Sequence, residues 1–394
     1  MKKHLVFIIT VILSIVYVWI GYGVATKDYL AFEGASRIYT VTAKVKAITN
    51  IQREDYTFGE SQTVTSTYIS FVAEVKNGER RGETVTCMQH VDPFFAIQPA
   101  EVEVGDKILI MVNEDPTVAA EFIMVELVRS DSIILLGVLF CIFVIAFGRF
   151  EGVKTIISLG FTCLSVFVVF VPAVLAGQNI YMWSAITCLF ITAMTLIMVY
   201  GLSEKSLAAG IGCIAGVMTS AVIVLIMVKI MRLTGMVNEE SVYLKMLHSE
   251  REIDLIAIIF GAVIIGALGA IMDVSMSIAS ALNEMNEKID SFTFNDLFKS
   301  GNSIGRDMVG TMANTLVLAY IGSSLSVVLL LVAYNHSLME VFNKEMIIVE
   351  MLQTLSGSFG ILLTIPLTSF VCSFLYIRAN KKRKLADLQN MESQ

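Results

Sequence analysis

Charged residues are scarce in this sequence. Only 16% of its 394 residues are Asp, Glu, Lys or Arg, whereas soluble domains contain roughly a quarter. The formal net charge is −7, and the basic residues form no patch of the kind that binds a phosphate backbone. The composition therefore argues against an ordinary soluble domain, and we expect no nucleic-acid partner.

Motifs for catalysis and for metal binding are also lacking. The four histidines are scattered, and five of the six cysteines lie inside apolar runs, so Cys87 stands alone in the one polar region. The sequence has no H-E-x-x-H zinc motif, no nucleotide-binding loop and no G-x-S-x-G elbow. An intramembrane serine hydrolase would need a base, and no histidine lies in an apolar run. We therefore expect no enzyme activity, no catalytic residue, no metal and no cofactor.

Long apolar runs are abundant. The chain is 56% hydrophobic with a mean hydropathy of +0.74, and runs of roughly 20 residues are long enough to cross a bilayer. The predicted spans are residues 5–24, 132–147, 155–176, 181–200, 207–231, 255–282, 308–334 and 355–376. The first run has no clear cleavage site, which favours an uncleaved anchor over a signal peptide. The predicted fold is a polytopic α-helical membrane protein with about eight transmembrane helices.

Between the first two runs, the pattern changes to the alternation typical of strands. Residues 39–47 and 69–75 alternate apolar and polar side chains, and the second stretch leads into Asn77-Gly78, which is a hairpin signal. Val85 and Cys87 begin a further strand. A turn at Gly105-Asp106 connects residues 101–104 to residues 107–112. These residues predict a small all-β domain between helices 1 and 2.

The basic residues predict the orientation of the chain. They concentrate in the segments of one side, above all in the tail with Arg378, Lys381, Lys382, Arg383 and Lys384. We expect both termini in the cytoplasm. The predicted domains are an N-terminal transmembrane anchor (1–24), an extracytoplasmic β-rich domain (25–130), a seven-helix membrane domain (131–378) and a basic cytoplasmic tail (379–394).

Two apolar segments near the C-terminal end carry polar residues at helical spacing. One helix face consists of Ala262, Gly266, Gly269, Asp273, Ser277, Ser280 and Glu284, and the next span begins with Arg306 and continues with Asp307, Thr311, Asn314 and Thr315. A carboxylate inside a membrane helix costs roughly 3 kcal/mol or more unless it is paired or hydrated, so Asp273 marks a functional site. Hydrogen bonding to the backbone or to a neighbouring helix is the alternative role for Ser277, Ser280, Thr311 and Thr315. For Glu284, Arg306 and Asp307 the alternative is an interfacial charge without a role in a path.

Residue counting predicts how these two faces meet. At about 1.5 Å per residue, Asp273 and Asn314 reach similar depths if their helices pack antiparallel. Arg306 can then pair with Glu284 or Asp307 at the inner end. Residues 286–305 predict an amphipathic element on the inner leaflet. The predicted substrate or ion path is therefore Asp273, Ser277, Glu284, Arg306, Asp307, Thr311 and Asn314.

The segments GALGAIMDVSMSIASAL (266–282) and GRDMVGTMANTLVLAY (305–320) resemble the YibE/F-like family of bacterial multi-pass membrane proteins. The resemblance extends from about residue 130 to about residue 380, and the anchor followed by a β-domain is similar to the YibE-like arrangement. It implies a location in the bacterial cytoplasmic membrane. It also implies a second, shorter family-related subunit as a partner, with a homo-oligomer as the alternative. It supplies no catalytic or binding residues.

Two functions from different classes fit these observations. The first is a transporter or permease for a small solute or ion, in which Asp273 binds or relays a cation or proton and Arg306, Glu284 and Asp307 gate the inner mouth. The alternative is a non-enzymatic binding or assembly protein whose β-domain docks an envelope partner. The position of Asp273 favours the first, with the lipid bilayer and a small solute or ion as partners.

Overall fold

A computed structural model describes residues 2–27, 40–58, 62–92, 99–113, 120–246, 253–288, 292–334 and 337–392. It is mostly helical, at 71%, with several long apolar helices and a small β-barrel near the N-terminus. Its contacts divide the chain into two compact units. One unit combines Met1–Leu30 with Phe147–Gln394, and the other is Ala31–Ala146.

The second unit contains a closed barrel of five strands. They are β1 (Val41–Phe58), β2 (Gln62–Val75), β3 (Thr84–Val91), β4 (Lys107–Val112) and β5 (Phe122–Leu127). The order is β1-β2-β3-β5-β4, with β4 pairing back to β1, and β3 runs parallel to β5. Ile69, Phe71 and Ala73 are buried in the barrel core at alternate positions, because successive side chains of a strand point to opposite faces. The predicted small all-β domain is confirmed.

Details of the barrel differ from the prediction. Residues 101–104 form no strand; instead the backbone N–H of Val102 donates to Oε1 of Gln89 at 2.8 Å. Strand β5 was not anticipated, since its sequence FIMVEL lacks strict alternation. The predicted strand start at Tyr39 lies outside the described residues. The hairpin signal is correct, because β2 and β3 pair antiparallel, and Gly78 in the connection between them has a φ of 81°.

One carboxylate on the barrel is held by two lysines. Glu74 forms ion pairs of 2.6 Å with both Lys46 and Lys76. Hydrogen bonds from these two ammonium groups, first from Lys46 and then from Lys76, lower the pKa of Glu74 from 4.5 to about 2. Glu74 therefore favours the folded barrel while it is ionised.

We predict a pH-dependent stability difference between the wild type and Glu74→Gln. The pKa is lower in the folded state, so the contribution of Glu74 is complete above pH 4.5 and is lost as the pH falls towards about 2. The variant should show faster hydrogen–deuterium exchange in β2 at pH 7, and the difference should shrink between pH 5 and pH 3. A difference that stays constant over this range contradicts the assignment.

The remaining described elements are helical. The helices are α1 (Lys2–Ala25), α2 (Ser130–Leu164), α3 (Val171–Leu175), α4 (Ile180–Tyr200), α5 (Glu204–Met231), α6 (Glu239–Met246), α7 (Leu255–Lys288), α8 (Phe294–Ala333), α9 (Leu338–Phe342) and α10 (Glu345–Glu392), with a π-helical segment at Ser165–Phe170. Seven helical stretches of the described chain are long and apolar enough to cross a membrane.

The seven stretches and the eight predicted spans differ at one place. Ser130–Leu175 counts as one stretch of 46 residues, although the sequence predicts two spans there. At about 1.5 Å per residue it is roughly twice as long as a bilayer core is thick. The helix is broken at Arg149, where φ is 49° and ψ is −126°. This break separates the two predicted segments.

The ends of two helices lie further out than predicted. The first part of α8 takes the place of the separate amphipathic element predicted for residues 286–305. A capping box between Thr293 and Asp296 starts the helix at Phe294. Leu297, in the first turn, is fully buried. Helix α10 continues to Glu392, so the basic tail extends the last helix.

Close packing of α5, α7 and α10 forms the core of the helical unit. A side-chain carbon on Gly212 would overlap Thr368, and one on Gly216 would overlap Thr364. Ile271 of α7 lies against the same Gly216 and is fully buried. Small residues let helix backbones approach closely, so the Gly212-x-x-x-Gly216 pattern is a packing motif.

Substitution of Gly216 should destabilise the helical unit. In Gly216→Ala the new methyl group overlaps the Thr364 hydroxyl, and overpacking of this kind costs about 1–3 kcal/mol. Gly160→Ala is the matched control, because a Cβ there has no neighbour within 4 Å among the described residues. Thermal unfolding in detergent should show a lower midpoint for Gly216→Ala only. Equal midpoints for both variants contradict the packing.

Candidate functional site

Helix α7 has one exposed strip along an otherwise buried surface. Ala262, Gly266, Gly269, Asp273, Ser277 and Glu284 are exposed, and Ser280 is half-buried. Intervening residues such as Ile271, Val274 and Ile278 are fully buried. A helix turns by about 100° per residue, so positions three and four apart share one face. The structure therefore places the predicted face of α7 on a single side of the helix. That side is exposed around Asp273, whereas Tyr320 of α8 lies beside Gly266.

The strip lies between two neighbouring helices. Helix α7 packs against α4, α5, α8 and α10, whereas α4 and α8 have no substantial packing contact with each other in the described part of the chain. α5 and α10 cover the buried side of α7. We call this exposed strip of α7, with α4 and α8 as its neighbouring helices, the α7 groove.

Asp273 lies at the middle of the α7 groove. It is 18 residues from Leu255 and 15 from Lys288, which places it roughly 27 Å and 22 Å from the two helix ends. Its carboxylate interacts electrostatically with the Tyr200 phenol at the end of α4. Within the described residues, no hydrogen bond or ion pair joins Asp273 to another side chain. Its negative charge is therefore available to a ligand.

The end of the groove near Lys288 carries charges of both signs. Lys288 Nζ lies 2.7 Å from Glu284 Oε1, one helical turn away. Both side chains are exposed, so the pair adds little stability. Lys205 lies within electrostatic range of Glu284 and 5.2 Å above the ring of Tyr200. Lys205 therefore interacts both with Tyr200 of α4 and with the charged end of the groove at Glu284 and Lys288, which we call the mouth. The sequence did not indicate this role.

The prediction for Arg306 is wrong. Among the described residues Arg306 forms no ion pair with Glu284 or Asp307, and Glu284 is paired with Lys288 instead. Both Arg306 and Asp307 are exposed. The physical reason is local, because Lys288 is one turn from Glu284 on the same helix face.

No hydrogen bond joins Asn314 to Asp273 among the described residues, and Asn314 is exposed on α8. Helix α8 is oriented by Gly301 and Gly305, which lie against Ser369 and Ile365 of α10, and by Leu316, which lies against Gly357 of α10. Asn314 precedes Leu316 by two residues, so it lies about 160° around the helix from it. The residues on this outer face are all exposed: Asp307, Thr311, Asn314 and Thr315. They lie outside the α7 groove.

The hydroxyl groups of Thr311 and Thr315 are bonded within α8. Thr311 Oγ1 donates to the carbonyl oxygen of Met308 at 3.0 Å, and Thr315 Oγ1 donates to that of Thr311 at 2.8 Å. Backbone bonding of this kind is the ordinary state of a helical threonine. Ser277 remains the hydroxyl beside Asp273 on the floor of the groove.

The interior contains a polar network that the sequence analysis missed. Ser275 Oγ donates to the carbonyl oxygen of Ala209 at 2.5 Å and lies 3.1 Å from Thr368 Oγ1. The Tyr376 hydroxyl donates to the carbonyl oxygen of Ala279 at 3.0 Å. The repeated spacing of hydroxyls at Thr364, Thr368, Ser369 and Ser373 was the signal for it. Ser275, Thr368 and Tyr376 are fully buried, and their hydrogen bonds join α7 to α5 and α10.

A metal centre is absent from the described residues. No three His, Cys, Asp or Glu side chains there are grouped closely enough to hold a metal ion. All six cysteines are free thiols. The Cys87 thiol is buried in the barrel, which raises its pKa to about 12 and makes it unreactive.

Thiol labelling should distinguish the two serines beside Asp273. Ser277 is exposed and Ser275 is fully buried. In a background where the native cysteines are replaced, Ser277→Cys should react with a polar maleimide at least about tenfold faster than Ser275→Cys, because reaction needs an exposed thiolate. Similar labelling rates in detergent solution would contradict the open α7 groove.

Comparison with known proteins identifies a family. No curated protein and no solved structure matches the chain. The model of the family described as YibE/F-like protein matches residues 136–378. The matched region covers α7 and α8, which carry the two segments with polar faces. Because it includes more than half of the 394 residues, this chain belongs to the YibE/F-like family.

Proposed function

We propose that the protein is a multi-pass protein of the bacterial cytoplasmic membrane that transports a small solute or ion along the α7 groove. One observation carries the proposal: Asp273 stands in the middle of an exposed, small-residue face on an apolar helix of 34 residues. The helices have the length and composition for crossing a bilayer.

The position of Asp273 supports a role in binding charge. In a membrane-spanning α7 this carboxylate lies near the bilayer centre, where an ionised group costs roughly 3 kcal/mol or more unless it is hydrated or paired. No basic side chain pairs with it among the described residues. In the proposal, a cation or proton in the groove supplies the missing partner, and binding is strong because the surrounding helices exclude most of the water.

The small side chains beside Asp273 support passage along the groove. A Cβ on Gly269 would meet no atom within 4 Å in the described structure, so the floor next to the carboxylate is open. Ser277, one turn towards the charged mouth, offers a hydroxyl oxygen to the same cation. The path of the proposal thus contains Asp273, Ser277 and Glu284, and it omits Arg306, Asp307, Thr311 and Asn314 because they lie on α8 outside the groove.

The open side of the groove supports a partner. A membrane-facing strip with carboxylates at two positions is unfavourable in lipid. A second family-related subunit or a second copy of this chain covers it in the proposal. In the proposal the mouth with Glu284, Lys288 and Lys205 faces the cytoplasm, since the distribution of basic residues favours cytoplasmic termini. The protein has no enzymatic role in this scheme.

Transport assays on Asp273→Asn test the proposal. Reconstituted wild-type protein should dissipate a proton or monovalent-cation gradient in liposomes, and Asp273→Asn should slow the flux at least about tenfold, since an interaction with a charged group is worth about 1.5–3 kcal/mol. Asp307→Asn is the matched control, because Asp307 is exposed on α8 outside the groove. Its flux should equal that of the wild type.

Two results would overturn the transport function. One is the absence of any flux from the wild type under every gradient tested. The other is an equal flux for Asp273→Asn and the wild type. The remaining candidate is then the assembly protein, which is supported by the barrel having a buried core of its own. In that case deletion of the barrel abolishes function, whereas Asp273→Asn changes only stability.

A further inference from the structure

A second cavity lies on the other side of α8. It has a volume of about 340 Å³, is open on one side and is lined by α8, α9 and α10. Its wall is mostly aliphatic, with Val317, Ile321, Val328, Ile347, Met351 and Leu355. Cavities of roughly 300–1,000 Å³ with apolar walls and a few polar groups are typical of small-molecule sites. Its polar groups therefore indicate which ligand it fits.

Glu350 provides the one carboxylate of this cavity. The neighbouring acidic residues have structural partners: Glu345 accepts the backbone N–H groups of Thr234 and Gly235 at 2.7 Å, and Glu340 pairs with Lys344. In the described part of the chain, no ion pair or hydrogen bond involves the Glu350 side chain. Glu350 is half-buried, so its charge lacks both full solvation and a counter-charge.

A buried hydroxyl in the cavity wall also lacks a partner. Ser324 is 8% exposed, and its Oγ has no hydrogen-bond partner among the described residues. The adjacent Ser323 behaves differently, because its Oγ donates to the carbonyl oxygen of Tyr320 at 2.8 Å. Thr354 also lines the cavity, but its hydroxyl donates to the carbonyl oxygen of Glu350 at 2.8 Å. An unsatisfied buried hydroxyl costs about 1–3 kcal/mol, and a ligand atom would satisfy Ser324.

The phenol of Tyr320 completes the polar side of the cavity. Tyr320 lines the cavity and interacts electrostatically with Glu350, while its hydroxyl hydrogen-bonds with Gln353. The hydroxyl is thereby engaged. The aromatic ring remains available to a cation near Glu350, because the π face of an aromatic ring attracts positive charge.

We propose that this cavity binds the primary ammonium group of an amphipathic organic cation. Glu350 provides the counter-charge, Ser324 Oγ accepts an N–H hydrogen bond, and the aliphatic wall receives the alkyl part of the ligand. A divalent metal ion fits poorly, since calcium takes about six to eight oxygen ligands and the wall is mostly carbon. A carboxylate or phosphate ligand without an ammonium group is repelled by Glu350. The site is independent of the transport proposed for the α7 groove.

Binding of n-hexylammonium and n-hexanol to the full chain in a non-ionic detergent tests this site. Both probes fill the aliphatic part of the cavity, and only the first carries charge. Affinities follow from the rise of the unfolding midpoint with probe concentration. Hexylammonium should bind the wild type at least about tenfold more tightly than hexanol does, because a charge-assisted contact is worth about 1.5–3 kcal/mol.

Glu350→Gln should remove this preference and leave the affinity for hexanol unchanged. Glu340→Gln is the matched control, since Glu340 lies outside the cavity, and it should bind both probes like the wild type. Ser324→Ala is a smaller change that preserves the fold, and it should weaken hexylammonium about two- to tenfold. Equal affinity of hexylammonium for the wild type, Glu350→Gln and Ser324→Ala overturns the site.

The same assay distinguishes a lipid headgroup from a soluble amine as the source of the ammonium group. Competition of hexylammonium by lysophosphatidylethanolamine, dependent on Glu350, identifies a lipid headgroup as the ligand. Failure of that lipid to compete, while hexylammonium still depends on Glu350, identifies a soluble amine. If neither the lipid nor hexylammonium binds to the wild type, the result counts against the proposal.

Discussion

The close contact of α5 with α7 and α10 determines how the helical unit presents its polar residues. Gly212 and Gly216 of α5 leave room for Thr364 and Thr368 of α10 and for Ile271 of α7. This packing fixes the rotation of α7 about its own axis. Asp273 follows Ile271 by two residues, or about 200° of rotation, so it must lie on the side opposite the contact. The carboxylate faces outward because Ile271 packs inward against Gly216 of α5.

The same rotation explains why neighbouring hydroxyls have different roles. Ser275 and Ser277 are also two residues apart, and the structure places Ser275 in the core and Ser277 in the α7 groove. In the core, a hydroxyl is stable only when it is hydrogen-bonded, and Ser275 bonds to the backbone of α5. The hydroxyls of Thr364, Ser369 and Ser373 bond to carbonyl oxygens of α10 itself. Polarity alone therefore does not identify a site in a chain of this composition, because the direction of each side chain also matters.

Sequence spacing predicted which residues share a helix face but not which way the face points. The strip on α7 was predictable, because positions three and four apart always align. The pairing of Asp273 with Asn314 was not, because residue counting gives the depth along a helix and leaves its rotation open. The rotation of α8 follows from Gly301 and Gly305 on α10, which are contacts between segments about 60 residues apart in the sequence. Glu350 was missed for a related reason, since a carboxylate five residues after a helix start resembles an ordinary terminal charge.

Helix α8 separates the two sites, and one side chain is common to their walls. Tyr320 lines the cavity of Glu350, while its hydroxyl lies so close to Gly266 that a Cβ there would come within 2.7 Å. Gly266 belongs to the exposed strip of α7, about two turns from Asp273. Only a glycine at position 266 leaves room for the Tyr320 hydroxyl. Tyr320 is therefore a wall residue of both the α7 groove and the cavity of Glu350.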